Sequence, residues 1–211
     1  MIATGILAIV IGYLLGSIPF AYIAGRLVKG IDIRQVGGKN VGTLSTMREV
    51  GTVAGLVVLL ADMAKGTLGI FVAQWLEVSW IFVYLVGAAV VIGHWWPIFL
   101  KFRGGKGAAT TIGVLFALSP VATAISFAIM VIVVLITSNF TFAMAIGLAL
   151  LPLIMWPFGE AGSLIAYAIA LPIFCSLKYI PTFKETVFST EGRQNIIRDK
   201  RYKPWQTKME K

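Results

Sequence analysis

Five consecutive residues could bind an anion where the chain enters a long apolar stretch: Arg103, Gly104, Gly105, Lys106 and Gly107. Glycine lets backbone N–H groups approach a phosphate closely, and lysine supplies a full positive charge. Residues 107–159 contain no Lys, Arg, Asp or Glu, and a helix that begins here would add the partial positive charge of its N-terminus. The same residues also fit a positively charged membrane anchor beside a flexible turn, and both interpretations remain open at this point.

A second stretch of similar chemistry covers residues 25–51, with six glycines and five cations. Its glycine backbone, hydroxyls and amide are groups that bind oxyanions. Two loops of this kind on one membrane face favour a shared phosphate-binding cavity over two unrelated anchors. The candidate ligands in this second loop are Gly37, Gly38, Lys39, Asn40, Ser45 and Arg48.

The composition is that of an integral membrane protein. Of 211 residues, 58% are hydrophobic and 13% are charged, and the mean hydropathy is +0.89. The net charge of +9 comes from loops and the C-terminal tail, which favours a membrane surface or anionic substrates as partners over nucleic acid. A single cysteine, Cys175, lies in an apolar run, so no intrachain disulfide can form. The N-terminal apolar run has no basic segment before it and is interpreted as a retained first span.

Six apolar runs are long enough to cross a membrane: residues 2–24, 51–75, 79–100, 108–136, 139–157 and 161–180. Cations concentrate in the first loop, the third loop and the tail, so the positive-inside rule predicts that all three are cytoplasmic and that the N-terminus is outside. That arrangement requires an odd number of crossings. Because proline breaks the helical hydrogen-bond pattern, we expect Ser119-Pro120 to divide the fourth run into two passes, which gives seven.

The first of these two pieces is short, which constrains the loop before it. Residues 108–118 would form a helix of about 16 Å at about 1.5 Å per residue, too short to cross from one surface to the other. We therefore expect a half-helix that starts inside the membrane, with the Gly-Gly-Lys-Gly loop recessed at the floor of a cavity open to the cytoplasm. Non-helical backbone at that depth is tolerated where it is buried in protein or lines water.

Asp62, Lys65 and His94 fall within the predicted spans. Asp62 and Lys65 are three positions apart on one helix face, either as a self-neutralising pair that joins helices or as a pair that borders the cavity. His94 is at the inner end of the third span, where histidine most often forms interfacial hydrogen bonds. Since the chain has only this one histidine, we expect no metal site built on histidine ligands, and no cofactor is implied.

Several motifs along the chain match one known family. The first comprises G-S-I-P-F at 16–20, G-R at 25–26 and D-I-R-x-V-G-x-x-N-x-G at 32–42. The longest is G-H-W-W-P-I-F-L-K-F-R-G-G-K-G-A-A-T at 93–110. The remaining matches are Asp62, Lys65 and Gly66 in the second span and Arg193, Asn195 and Ile196 near the C-terminus. Together they resemble the bacterial acyl-phosphate:glycerol-3-phosphate acyltransferases.

The resemblance implies an all-α integral membrane protein with one domain over residues 1–211. It implies seven transmembrane helices in the bacterial inner membrane, an outside N-terminus and a basic cytoplasmic tail at 182–211. The implied reaction transfers an acyl group from acyl phosphate to the 1-hydroxyl of glycerol 3-phosphate, giving lysophosphatidic acid, at a site that faces the cytoplasm. Because the donor is already activated, such a protein aligns two anionic substrates and supplies no nucleophile.

The resemblance and the chemistry of the two loops together suggest roles for individual positions. Lys106 would bind a substrate phosphate, and the glycines around it would present backbone N–H groups. The catalytic candidates are Lys106, Arg48 and Asn195. The substrate-binding candidates are Gly37, Gly38, Lys39, Asn40, Ser45, Arg103, Gly104, Gly105, Gly107, Thr141, Arg193 and Arg198. Asp62, Lys65 and His94 are expected to support the site from behind.

This chain departs from the family pattern at several ligand positions. In the first motif, Gly38, Leu44 and Ser45 replace a serine, a threonine and an asparagine. Gly192 replaces a histidine before the third motif, and the family's basic residue near Thr141 is absent. Three functions therefore remain open: acyl transfer to glycerol 3-phosphate, acyl transfer involving a different phosphorylated molecule, and non-catalytic binding or transport of a phospholipid or acyl phosphate.

Overall fold

The structure of the protein, a computed structural model, describes residues 2–180. Within that range it contains nine α-helices, three short 3₁₀ turns and no β-strand. The α-helices are α1 Ile2–Ser17, α2 Phe20–Lys29, α3 Thr43–Glu49, α4 Thr52–Trp75, α5 Trp80–Trp95, α6 Ala108–Leu118, α7 Pro120–Thr137, α8 Phe140–Met155 and α9 Gly162–Ser176.

Six stretches within the described residues are long and apolar enough to cross a membrane. The first consists of α1 and α2 together, and the others contain α4, α5, α7, α8 and α9. Large apolar side chains such as Leu60, Trp75 and Leu153 are exposed on the outside of the bundle, where lipid would take the place of water. These features are those of a multi-pass, all-α membrane protein.

The short helix α6 lies inside the bundle. Seven of its 11 residues are buried, because it contacts α4, α5, α7 and α9. At its closest approach to α4, a Cβ on Gly113 would collide with the backbone of Met63. At the same place the Thr67 hydroxyl donates a hydrogen bond to the Gly113 carbonyl at 2.8 Å. A larger residue at position 113 would separate the two helices, so this contact fixes α6 against α4.

The predicted break at Ser119-Pro120 is confirmed. α6 ends at Leu118 and α7 begins at Pro120, in the first turn of a helix, where the missing N–H of proline is not needed. The Ser119 hydroxyl donates to the Glu160 carboxylate at 2.6 Å, which holds this corner to the connection between α8 and α9. The two helices on either side of the break are therefore separate elements with a fixed junction.

An ion cluster around Asp32 holds the loop between α2 and α3. Arg34 donates to both carboxylate oxygens of Asp32, at 2.9 and 2.7 Å, and reaches the Leu100 carbonyl at 3.5 Å. Arg26 lies 3.7 Å from the same carboxylate. The hydrogen bond from Arg34 lowers the pKa of Asp32 to about 2, against the opposing effect of burial. The cluster thus joins this loop to the turn that precedes Arg103.

We expect Asp32→Asn to lower the melting temperature at neutral pH by about 2–4 °C, the shift for roughly 1 kcal/mol in a chain of this size. The effect is modest because both arginines remain partly exposed to water. Since the folded pKa lies below the unfolded value of about 3.9, the carboxylate stabilises the fold above that pH and ceases to do so as the pH falls towards 2.

Thermal unfolding of both proteins, followed by circular dichroism between about pH 2 and pH 7, measures this difference. The two melting temperatures should converge as the pH falls from about 4 towards 2, where the wild-type carboxylate becomes protonated in the folded protein as well. Glu77→Gln, at an exposed carboxylate, is the matched control and should change little at any pH. Equal melting temperatures for wild type and Asp32→Asn at pH 7 would contradict the assignment.

Candidate active site

The loop before α6 opens onto a cavity of about 100 Å³. Polar groups from separate parts of the fold converge there: Asn40, Thr43, Asp62, His94, Lys106, Thr141 and Tyr179. The apolar part of the wall is formed by Leu44, Leu59, Phe140 and Met144. A few polar groups in an otherwise apolar wall are typical of a small-molecule binding site.

Lys106 provides a positive charge at this cavity. Its side chain is partly buried, and its ammonium nitrogen lies 4.7 Å from the centre of the Tyr179 ring, a cation–π contact. Tyr179 also lines the cavity. The aromatic face keeps the lysine side chain at the cavity wall without supplying a negative charge that would neutralise it. Lys106 is therefore placed to contribute positive charge at the cavity wall.

Two of the three glycines predicted to offer N–H groups to a ligand use them within the protein. The Gly104 amide donates to the Trp95 carbonyl and the Gly105 amide donates to the His94 carbonyl, both at 3.1 Å. These carbonyls belong to the last turn of α5, where a helix has no internal donors left for them. Gly104 and Gly105 thus cap α5 through these amides, and ligand binding by the two residues stays a prediction.

Within residues 2–180, the amides of Gly107 and of the first residues of α6 donate to no backbone carbonyl, and these residues line the cavity. Gly107 has a φ of +81°, a conformation that favours glycine, and it is followed by Ala108 and Ala109, which also line the cavity. The first N–H groups of a helix have no internal acceptors, and the helix dipole adds partial positive charge there. With Lys106 beside it, this helix end is suited to a phosphate.

Thr43 was not among the predicted ligands, yet it has an unmet hydrogen-bonding requirement at the cavity. Its hydroxyl oxygen is buried, and within the described residues it has no hydrogen-bond partner. A buried hydroxyl without a partner is costly, and a ligand oxygen in the cavity would supply one. Thr43 follows Gly42 and is the first residue of α3. The sequence feature that could have identified it as a ligand is a hydroxyl side chain next to a glycine at the start of a helix.

Asp62, Lys65 and His94 form one buried cluster behind the cavity. The Lys65 ammonium lies 2.7 Å from Asp62 Oδ1, 2.9 Å from His94 Nδ1 and 3.0 Å from the Ile18 carbonyl oxygen. Because an ammonium only donates, His94 accepts at Nδ1 and carries its proton on Nε2. Asp62 and His94 line the cavity described above, whereas Lys65 does not. The cluster therefore both joins helices and borders the cavity, which combines the two interpretations of the Asp62 and Lys65 pair.

The structure brings only part of the predicted first-loop set to the cavity. Asn40 lines it, but Gly37, Gly38 and Lys39 are exposed and do not line it. Ser45 is buried on α3 and is also absent from the cavity wall. The loop contributes Gly42, Thr43 and Leu44 instead. The predicted cavity is thus present, with a different set of first-loop residues.

The other predicted ligands divide into three groups. Thr141 on α8 lines the cavity as predicted, together with Phe140 and Met144, which were not predicted. Arg48 and Arg103 are exposed and do not line the cavity. The remaining candidates, Arg193, Asn195 and Arg198, lie outside the described residues, as does the basic tail at 182–211.

Comparison with known proteins gives consistent matches over most of the chain. The profile of the family described as glycerol-3-phosphate acyltransferase matches residues 6–187. A glycerol-3-phosphate acyltransferase 1 of Dehalococcoides mccartyi is 39% identical over 201 residues, which are 92% of this chain and 96% of the relative. A glycerol-3-phosphate acyltransferase 2 of Moorella thermoacetica is 36% identical over 188 residues, which are 89% and 96% of the two chains.

A solved structure also resembles this fold. PlsY, an integral membrane glycerol 3-phosphate acyltransferase, matches in its glycerol 3-phosphate form with a TM-score of 0.78 and 30% sequence identity, over 87% of this chain and 92% of PlsY. Its lysophosphatidic acid form matches with a TM-score of 0.76 and 29% identity. With sequence and fold in agreement over this length, the chain belongs to the glycerol-3-phosphate acyltransferase family.

Proposed function

We propose that the protein transfers an acyl group from an acyl phosphate to the 1-hydroxyl of glycerol 3-phosphate, giving lysophosphatidic acid and inorganic phosphate. The observation that carries the proposal is the convergence of Lys106, the α6 N-terminus and the unpartnered Thr43 hydroxyl on one cavity. Each of these groups favours an oxyanion, and both substrates carry phosphate. Membership of the family supports glycerol 3-phosphate as the acceptor.

The chemistry asks the protein mainly to position its substrates. The glycerol hydroxyl oxygen attacks the acyl carbon, a new ester C–O bond forms, and the bond from the acyl carbon to the phosphate oxygen breaks. The departing phosphate takes the hydroxyl proton, so no protein base is required. Lys106 would offset the negative charge that gathers on the phosphate as it leaves, and the Gly107 amide would bind a substrate phosphate. Asn40 and Thr43 would orient the acceptor by hydrogen bonds.

We also infer seven crossings, an outside N-terminus and a cavity that opens to the cytoplasm of a bacterial inner membrane. The six long apolar stretches and α6 together make seven segments, and α6 with its recessed loop would form one of them. The cation-rich loops before α3 and before α6 are consistent with a cytoplasmic face. Acyl phosphate and glycerol 3-phosphate, both water-soluble at their phosphate ends, would reach the cavity from that side.

One observation favours a second candidate, acyl transfer to a different phosphorylated acceptor. Leu44 lines the cavity at a position where the family pattern has a threonine. Replacing a hydrogen-bonding side chain with an apolar one changes which acceptor hydroxyls can be satisfied. An acceptor with fewer hydroxyls, or with an apolar group near Leu44, would suit this wall better than glycerol 3-phosphate.

Purified protein supplied with palmitoyl phosphate and labelled glycerol 3-phosphate tests the proposal. We expect labelled lysophosphatidic acid, and no product from palmitoyl coenzyme A, whose reacting thioester lacks the phosphate leaving group. Other phosphorylated alcohols, supplied in parallel, test the second candidate. Transfer to one of them with a kcat/KM far above that for glycerol 3-phosphate would replace the proposed acceptor, and binding without transfer to any acceptor would reject an enzymatic role.

We expect the reaction to proceed without a covalent acyl-enzyme. The thiol of Cys175 is buried and donates to the Lys106 carbonyl at 3.1 Å, so it is not directed at the cavity. Cys175→Ala should leave activity within about threefold, since a thiol is a weak donor. The measurement is incubation with labelled acyl phosphate in the absence of acceptor, followed by denaturation. Stoichiometric label retained on the wild-type protein would contradict direct transfer.

A further inference from the structure

Trp95 is the last residue of α5, and its indole contacts the backbone of the loop before α6. The side chain is almost fully buried, with 2% of its surface exposed, and its ring stacks on Phe174 of α9 at 4.6 Å between centres. Its indole N–H donates to the carbonyl of Lys106 at 2.9 Å. The ring packing explains why an aromatic residue is present, but it does not require an indole N–H.

A second donor from another helix binds the same carbonyl. The Cys175 thiol on α9 lies 3.1 Å from the Lys106 carbonyl oxygen. Donors from α5 and α9 therefore fix the direction of this one carbonyl. Indole is the stronger of the two donors, because a thiol forms only weak hydrogen bonds. Trp95 accordingly carries most of the restraint on this peptide.

The direction of the Lys106 carbonyl also determines the direction of the next N–H. In a planar trans peptide the C=O and the N–H point to opposite sides, and the described residues contain no cis peptide bond. With the Lys106 carbonyl directed at Trp95 and Cys175, the Gly107 N–H points away from them. Neither Trp95 nor Cys175 lines the cavity, whereas Gly107 does. Within the described residues, the Gly107 amide donates to no other group of the chain.

We propose that Trp95 is a positioning residue, which fixes the Lys106–Gly107 peptide so that the Gly107 N–H is directed at a substrate phosphate. This proposal rests on the proposed function, because it assumes a phosphate in the cavity. It assigns two roles to one short segment. The Lys106 side chain supplies charge, and the peptide that follows supplies a directed donor whose orientation is set from outside the cavity.

Gly107 itself fits this arrangement. A Cβ at this position would lie 2.6 Å from the Trp95 indole nitrogen, so a side chain would displace the indole that restrains the peptide. The φ of +81° adds a second reason for glycine. The loop is therefore built around a close approach between Gly107 and Trp95, and the indole N–H is the polar part of that contact.

The test distinguishes the contribution of the indole N–H hydrogen bond from the contribution of ring packing. Replacing Trp95 with β-(3-benzothienyl)alanine keeps the shape and the stacking on Phe174 but removes the donor, and Trp95→Phe does the same with a smaller ring. Trp96→Phe, at the exposed neighbouring tryptophan, is the matched control. The measurements are KM and kcat for both substrates, the Kd for glycerol 3-phosphate, and the melting temperature.

We expect the benzothienyl variant to raise the KM for one of the two phosphate-bearing substrates by about tenfold, the scale of a misdirected charge-assisted hydrogen bond. Its kcat should change by less than about threefold, since a contact made equally in the ground state and the transition state affects KM. A role in packing alone would lower the melting temperature and the active fraction and leave KM unchanged. Trp96→Phe should change neither kinetic constant by more than about twofold.

A benzothienyl variant with wild-type KM for both substrates would overturn this inference while leaving the proposed function intact. Absence of both acyl transfer and phosphate binding in the wild-type protein would reject the proposed function and this inference together. A second experiment, on the wild-type protein, tests directly whether the Gly107 N–H contacts a bound substrate. On addition of glycerol 3-phosphate or of palmitoyl phosphate, the amide resonance of Gly107 in glycine-labelled protein should shift with at least one of them, and a Gly107 resonance unmoved by saturating amounts of either would overturn the proposal.

Discussion

Lys106→Ala should reduce kcat/KM for acyl transfer by about 100-fold or more, the scale of losing one charge-stabilising donor in an active site. Two phosphate groups in one small cavity repel each other, and more negative charge gathers on the donor phosphate as its bond to the acyl carbon breaks. Among the described residues that line this cavity, Lys106 is the one lysine. Its ammonium opposes both effects, and alanine leaves the cavity without that charge.

Steady-state kinetics with palmitoyl phosphate and glycerol 3-phosphate measure this loss, with kcat and KM determined for each substrate. Lys106→Arg retains the charge but replaces a compact ammonium with a planar group, so it should recover only part of the activity. Lys101→Gln, at an exposed lysine close to the same loop, is the matched control and should remain near wild type. A folded Lys106→Ala protein with activity within about threefold of wild type would contradict a phosphate site at this lysine.

Features set by local backbone chemistry could be predicted from the sequence. Pro120 lacks an N–H, so a break before it was expected, and the structure separates α6 from α7 there. The short length of α6 follows from that break and from Gly107, the residue immediately before its first turn. Asp62 and Lys65 are three positions apart in an apolar helix, where a self-neutralising pair was one of the two interpretations, and they form an ion pair at 2.7 Å.

Features set by the directions of side chains and amides in space could not be predicted in this way. Ser45 and Thr43 are two positions apart on the short helix α3, and which of them faces the cavity depends on how α3 packs on α4. The amides of Gly104 and Gly105 appeared free in the sequence, although they bind the last carbonyls of α5. A general rule would have raised this possibility, since the final carbonyls of a helix need donors from elsewhere.

The buried cluster leads to the second large effect. Lys65→Met should lower the free energy of unfolding by about 3–5 kcal/mol, the cost of removing one partner from a buried ion pair. Asp62 and Lys65 are each only 2% exposed, so the carboxylate left behind is poorly solvated. The ammonium also links α4 to the Ile18 carbonyl and to His94 on α5. Methionine fills a similar volume, so the loss is mainly electrostatic.

Unfolding in mixed micelles, followed by tryptophan fluorescence, measures this effect. Lys29→Met is the matched control, because the same substitution at an exposed lysine removes only a hydrogen bond to the Glu49 carbonyl and should cost about 1 kcal/mol or less. The double variant Asp62→Asn/Lys65→Met should be more stable than Lys65→Met alone, since asparagine leaves no uncompensated charge. If the double variant were instead as unstable as the sum of the two single variants, the cost would come from lost packing, and not from an uncompensated charge on Asp62.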